Sequence, residues 1–118
     1  MLDGTCEERI DTHLQKVADD VKVFMEDEDG NADTGPFHSY ALSADMVEMG
    51  TFEEQTQPYF RYQISWGGPS DEVRFFPDGQ IEYWFMDWFD GARRNVTGQG
   101  WAEWLRDTFV EIGALNWE

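Results

Sequence analysis

Ile10, Leu14, Val17, Val21 and Phe24 recur at steps of four and three, the spacing of one helical face, and predict a helix over residues 6–25. Thr5 followed by Glu8 has the pattern of a capping box at its start. The opposite face carries Glu7, Asp11, Asp19 and Asp20 beside Arg9, Lys16 and Lys22, a solvated mixture. From Tyr59 to Trp66 the period changes to two. Phe60, Tyr62, Ile64 and Trp66 fall on one side, and Tyr59, Arg61, Gln63 and Ser65 on the other, which predicts a strand.

Gly67-Gly68-Pro69-Ser70-Asp71 reads as a turn, Glu72–Phe76 as a second strand, and Pro77-Asp78-Gly79 as a tight turn into a third strand over Gln80–Phe89. Both connections are short enough only for hairpins, so the three strands form an antiparallel meander. In the third strand Ile81, Tyr83, Phe85 and Phe89 alternate with Trp84, Met86 and Trp88, which predicts that both of its faces are covered. Gly91–Gly100 reads as a loop holding Arg93 and Arg94. A last helix over residues 101–112 has Trp101, Trp104, Leu105, Phe109 and Ile112 as its stripe and Gly113 as its cap. Residues 43–49 are read as a short helix ended by Gly50. The expected fold is α+β: a three-stranded antiparallel meander packed by an N-terminal and a C-terminal helix, with residues 1–118 as one domain.

Charge changes this picture most. The chain has 25 acidic and 8 basic residues, a formal charge of −17, and its only lysines are Lys16 and Lys22. Residues 1–50 hold 13 acids and residues 51–118 hold 12, so the excess is no tail. Six Trp and nine Phe exclude the aromatic-poor composition of a disordered acidic segment. Such a field repels nucleic acid and anionic membranes and speeds encounter with basic surfaces. No apolar run is long enough to span a bilayer, and Met1-Leu2-Asp3-Gly4 lacks the basic and apolar regions of a signal peptide, so a cytoplasmic location is expected. Cys6 stands alone and is expected to be a free thiol near a frayed end.

Catalytic and metal chemistry find little support. With Gly30 at position six of an EF-hand loop, Met25 falls first and Pro36 last; starting at Asp29 puts Thr34 and Tyr40 where Gly and Glu belong. Neither register makes a calcium site. His13 lies beside the apolar face of the first helix, and His38 has only Asp33 and Asp45 near it in sequence; neither belongs to a metal-spaced cluster. Ser65 and Ser70 flank Gly67-Gly68-Pro69 without the exposed elbow of a serine nucleophile, and the following Asp71 and Glu72 disfavour a phosphate there. Carboxylates are too numerous to single out a glycosidase pair. The expectation is therefore a protein that is not an enzyme, with no catalytic residues, metal or cofactor.

The stretch Tyr62-Gln63-Ile64-Ser65-Trp66-Gly67-Gly68-Pro69-Ser70-Asp71-Glu72-Val73-Arg74-Phe75, followed by Ile81-Glu82-Tyr83-Trp84-Phe85-Met86-Asp87-Trp88-Phe89-Asp90-Gly91-Ala92, resembles small acidic proteins of phages and mobile elements. The resemblance covers the central quarter to third of the chain and implies a setting in which acidic proteins inhibit host defence, as anti-CRISPR and antirestriction proteins do. It carries no functional residues with it.

The expected function is that of a DNA-mimicking inhibitor on the basic nucleic-acid groove of such a defence complex, in the host cytoplasm. It would contact neither nucleic acid nor membrane directly. Duplex DNA carries one charge per roughly 1.7 Å of axis, so a mimic needs carboxylates densely along one face. The candidates are Glu26, Asp27, Glu28, Asp29, Asp33, Asp19 and Asp20, with Asp71, Glu72, Asp87 and Asp90 on the sheet side. Arg93 and Arg94 are expected to stay off that row. An alternative is an interaction adaptor anchored by Trp84, Trp88 and Trp117; a third account is adaptation to high salt, for which dilute buffer should unfold the chain.

Overall fold

The computed structural model describes residues 5–51, 55–67, 69–87 and 90–117. Helix α1 (Cys6–Glu26) comes first and is about 31 Å long at 1.5 Å per residue. Thr5 and Glu8 close the predicted capping box: each side chain takes the other residue's backbone N–H. Five strands then run β1 (Ser43–Val47), β2 (Tyr59–Ser65), β3 (Ser70–Phe75), β4 (Ile81–Asp87) and β5 (Asp90–Asn95), followed by helix α2 (Gly100–Glu111). The strands pair antiparallel in chain order.

The class is α+β with both terminal helices as expected, but the meander has five strands rather than three. The two additions are its edges. β1 replaces the short helix expected over residues 43–49; four of its five residues are exposed and only Val47 is buried, so it carries little of the alternation that marks a strand. β5 occupies the stretch read as a loop. Ala92 and Val96 point inward at a spacing of four with the half-buried Arg94 between them, a period of two hidden by small and charged residues.

The helices cover one face of the sheet. Ile10, Val17 and Val21 of α1 and Trp101, Leu105 and Phe109 of α2 join Phe60, Tyr62, Val73, Phe75, Ile81, Tyr83 and Phe85 in a single core. Phe109 lies at its centre, 5.0 Å from the ring of Phe60 and 5.2 Å from that of Tyr62. His13 stacks on Phe85 at 4.3 Å. Cys6 is corrected from a frayed end to the core: it is a free but buried thiol, and its backbone N–H donates to Asp90 Oδ2 at 2.8 Å. Gly113, with φ of 82°, ends α2 and lets Ala114 and Leu115 bond back to the Phe109 carbonyl.

One irregularity reverses a side chain. Gln63 pairs with Glu72 and Ser65 with Asp71, so Ile64 is an extra residue and the alternation flips beyond it. Trp66, expected on the apolar face with Phe60 and Tyr62, is instead 76% exposed. No helix of the described residues is long and apolar enough to cross a membrane.

Candidate functional site

The eleven candidate acids do not form one surface. Asp71 and Glu72 are buried, 6% and 4% exposed, and present no charge to a partner. Asp71 shares the inner face with Val73 and Phe75, and its carboxylate accepts hydrogen bonds from the hydroxyls of Tyr83 and Ser65. Its parity with those two apolar residues was legible in the sequence. Asp87 is half-buried against Arg9 at 2.7 Å. Asp90 is exposed but committed to the start of α1, and the N–H of Cys6 holds its carboxyl below the usual range. Asp20 is held by Lys16 Nζ at 2.7 Å and the Tyr40 hydroxyl at 2.6 Å.

The remaining six, Asp19, Glu26, Asp27, Glu28, Asp29 and Asp33, are exposed at the C-terminal end of α1 and in the loop after it. Asp19 and Glu26 lie seven residues apart, two turns or about 10 Å along one face. Lys22 lies between them and is exposed as well. The loop is ordered by its own side chains: Asp27 Oδ1 accepts from the N–H of Asp29, and Asn31 Oδ1 from those of Asp33 and Thr34, each at 2.9 Å. At the other end of α1 Glu7 and Asp11, also outward acids of the helix, share one cation, Arg94, which was expected to stay off the helix's acids. Its Nη1 meets Glu7 Oε1 at 2.8 Å and its Nε meets Asp11 Oδ1 at 3.0 Å.

The sheet face away from the helices has the opposite character. Its side chains line up across the strands as Asp45, Arg61, Arg74, Glu82 and Asn95, and beside them Ser43, Gln63, Glu72, Trp84 and Arg93. Arg74 lies over Trp84 and Tyr59, 3.9 and 4.6 Å from their ring centroids, while its Nε donates to Glu72 at 2.6 Å. Trp84 Nε1 donates to Glu82 Oε1 at 2.9 Å, and Arg61 pairs with Asp45 at 3.1 Å. Tyr59, Arg61, Glu72, Arg74, Glu82 and Trp84 line a groove of about 560 Å³ walled by Gln55, Thr56 and Gln57 and by Trp66. The third predicted strand, now β4, is thus covered by a helix on one face only.

Three arginines on this face meet three carboxylates, so the face is formally neutral within a chain of −17. The residues that build the groove were visible in the sequence as the second side of each alternating strand. Their meeting depended on β1, β5 and the bulge. Of the aromatic anchors considered from sequence, Trp84 is half-buried beneath Arg74, Trp117 is 37% exposed, and Trp88 lies outside the described residues.

Among the described residues no three His, Cys, Asp or Glu side chains come together as a metal would require. No family model, no curated protein and no solved structure matches the chain.

Proposed function

We propose that this protein is a non-catalytic acidic inhibitor that binds the basic nucleic-acid-binding surface of a host defence protein in the cytoplasm, its carboxylates standing where phosphates would lie. The observation that supports this reading is the partition of charge. The outer sheet face is internally balanced, so the entire formal −17 belongs to the rest of the chain. There the exposed group Asp19, Glu26, Asp27, Glu28, Asp29 and Asp33 faces solvent, with Lys16 and Lys22 as the cations beside it along α1. The acids on the sheet side, Asp71, Glu72, Asp87 and Asp90, are left out of the interface because each is engaged inside the fold.

Carboxylates of this kind attract a lysine- and arginine-rich groove at long range and compete there with the polyanion that normally occupies it. The test is capture of partners from the native host on immobilised protein, followed by elution with duplex DNA. A basic nucleic-acid-binding protein released by duplex is the expected result. Capture through Trp117 and the neighbouring Met46 and Met49, unaffected by duplex, would replace mimicry with the aromatic-anchor reading.

A further inference from the structure

The groove on the outer sheet face plays no part in the acidic contact proposed above. We infer that it is a binding site for a neutral carbohydrate, a short oligosaccharide seated against Trp66.

The first argument is charge. The groove is lined by Arg61, Arg74 and Arg93 against Glu72 and Glu82, and Asp45, outside the lining, pairs with Arg61 at 3.1 Å and completes the balance, so the site offers little net attraction to a polyanion or a cation. A neutral ligand is the one that such a balanced site accepts. The second is hydrogen-bonding capacity on both sides of the bond. Arg93 is 63% exposed and lies 4.0 Å from Glu82, too far for a hydrogen bond, so its donors face the groove. Glu82 holds the Trp84 indole N–H on Oε1, which leaves its other oxygen as an acceptor. Gln57 and Gln63 contribute amides that donate and accept. A sugar ring presents hydroxyls that each do both.

The third argument is shape. Trp66 stands 76% exposed at the groove, held there by the bulge at Ile64, and supplies a flat apolar face of the kind on which the C–H side of a sugar packs. The volume of about 560 Å³ lies within the range of small-ligand sites and matches a few sugar units. A peptide strand is disfavoured. The groove lies on the face of β2, β3 and β4, whose backbone groups pair with the flanking strands and offer no edge to an added chain.

The probes are maltotetraose, cellotetraose, xylotetraose and tetra-N-acetylchitotetraose, with tetragalacturonate as the anionic counterpart. Binding is followed through the indole and glutamine side-chain N–H signals by NMR. At least one neutral probe should shift the Trp66 and Gln63 signals saturably, with a Kd of about 1 mM or tighter. Trp66→Ala should weaken it at least about tenfold, and Gln63→Ala should weaken it too. Trp66 is exposed, so its removal leaves the fold intact, which the unchanged remaining signals verify. Replacing Glu26, Asp27, Glu28 and Asp29 by their amides should leave sugar affinity unchanged, which separates this site from the acidic surface. No saturable shift with any neutral probe at about 10 mM, ten times the weakest expected Kd, overturns the inference. So does binding undiminished in both variants, or tighter binding of tetragalacturonate.

Discussion

On the inner face of the sheet the Asp71 carboxylate is held by the hydroxyls of Tyr83 and Ser65, with no ion pair to it among the described residues. One residue later, on the outer face, Glu72 is equally buried but bonded to Arg74, which in turn lies over Trp84 and Tyr59. The inner face treats a carboxylate as a hydrogen-bond acceptor within a core shaped by two helices. The outer face has no helix, and guanidinium groups lying on aromatic rings cover it instead. A buried acceptor whose donors lose it leaves those donors unsatisfied, whereas an ion pair near solvent is partly replaced by water. The comparison teaches that buried acids in this chain are structural on both sides, and that only the exposed acids are available for recognition.

The largest expected effect breaks the inner arrangement. Asp71→Ala strands the hydroxyls of Tyr83 and Ser65 and should cost about 3 kcal/mol, with Asp71→Asn, which keeps an acceptor, costing about 1 kcal/mol. On the outer face Glu72→Gln keeps a hydrogen bond to Arg74 and should cost about 1 kcal/mol. Urea unfolding of the three variants measures the order; a Glu72→Gln loss larger than that of Asp71→Ala would invert the comparison.

A second effect spans both faces. All four tyrosines, Tyr40, Tyr59, Tyr62 and Tyr83, have hydroxyls pushed above their ordinary pKa, with burial the largest cause in each; a neighbouring carboxylate adds for Tyr40 and Tyr83. Because the folded-state values are raised, the stability they contribute is complete below about pH 10, the unfolded value, and falls as pH rises above it. Tyrosinate absorbance should therefore appear together with loss of the circular-dichroism signal. Ionisation of these groups in a chain that is still folded would show the faces to be more open than described.

The smallest expected effect sharpens the contrast with the rim. Trp66→Ala should change stability by less than about 0.5 kcal/mol because the ring is exposed, while Cys6, buried and with its thiol pushed up by burial, should resist thiol reagents until the chain unfolds. Rapid labelling of Cys6 in the native protein would restore the frayed end that the sequence suggested.

The sequence carried the two helices and the three central strands because there the apolar period is unbroken: Ile10 to Phe24, Phe60 to Ile64 and Ile81 to Phe85 bury one side each. The edge strands escaped because each buries a single residue, Val47 on the outer side of β1 and Ala92 on the inner side of β5, which is too few to set a period. Trp66 was misplaced by the bulge, since one inserted residue exchanges the two faces for everything beyond it. Among the acids, composition announced the charge but not its allocation. Whether Asp71, Asp87 or Asp90 meets solvent or a donor inside the fold depends on contacts spanning from 6 to 84 residues of chain.

The central claim is that exposed carboxylates at the end of α1 act in place of phosphates, and the salt dependence of binding to the captured partner tests it most directly. Affinity of the wild-type protein is compared with that of a variant carrying Glu26→Gln, Asp27→Asn, Glu28→Gln and Asp29→Asn together, because each exposed charge alone contributes less than about 1 kcal/mol. The account predicts a steep fall of wild-type affinity with salt, displacement by duplex DNA, and a weaker, flatter response in the variant. Wild-type affinity that stays constant as salt rises and is indifferent to duplex would contradict it.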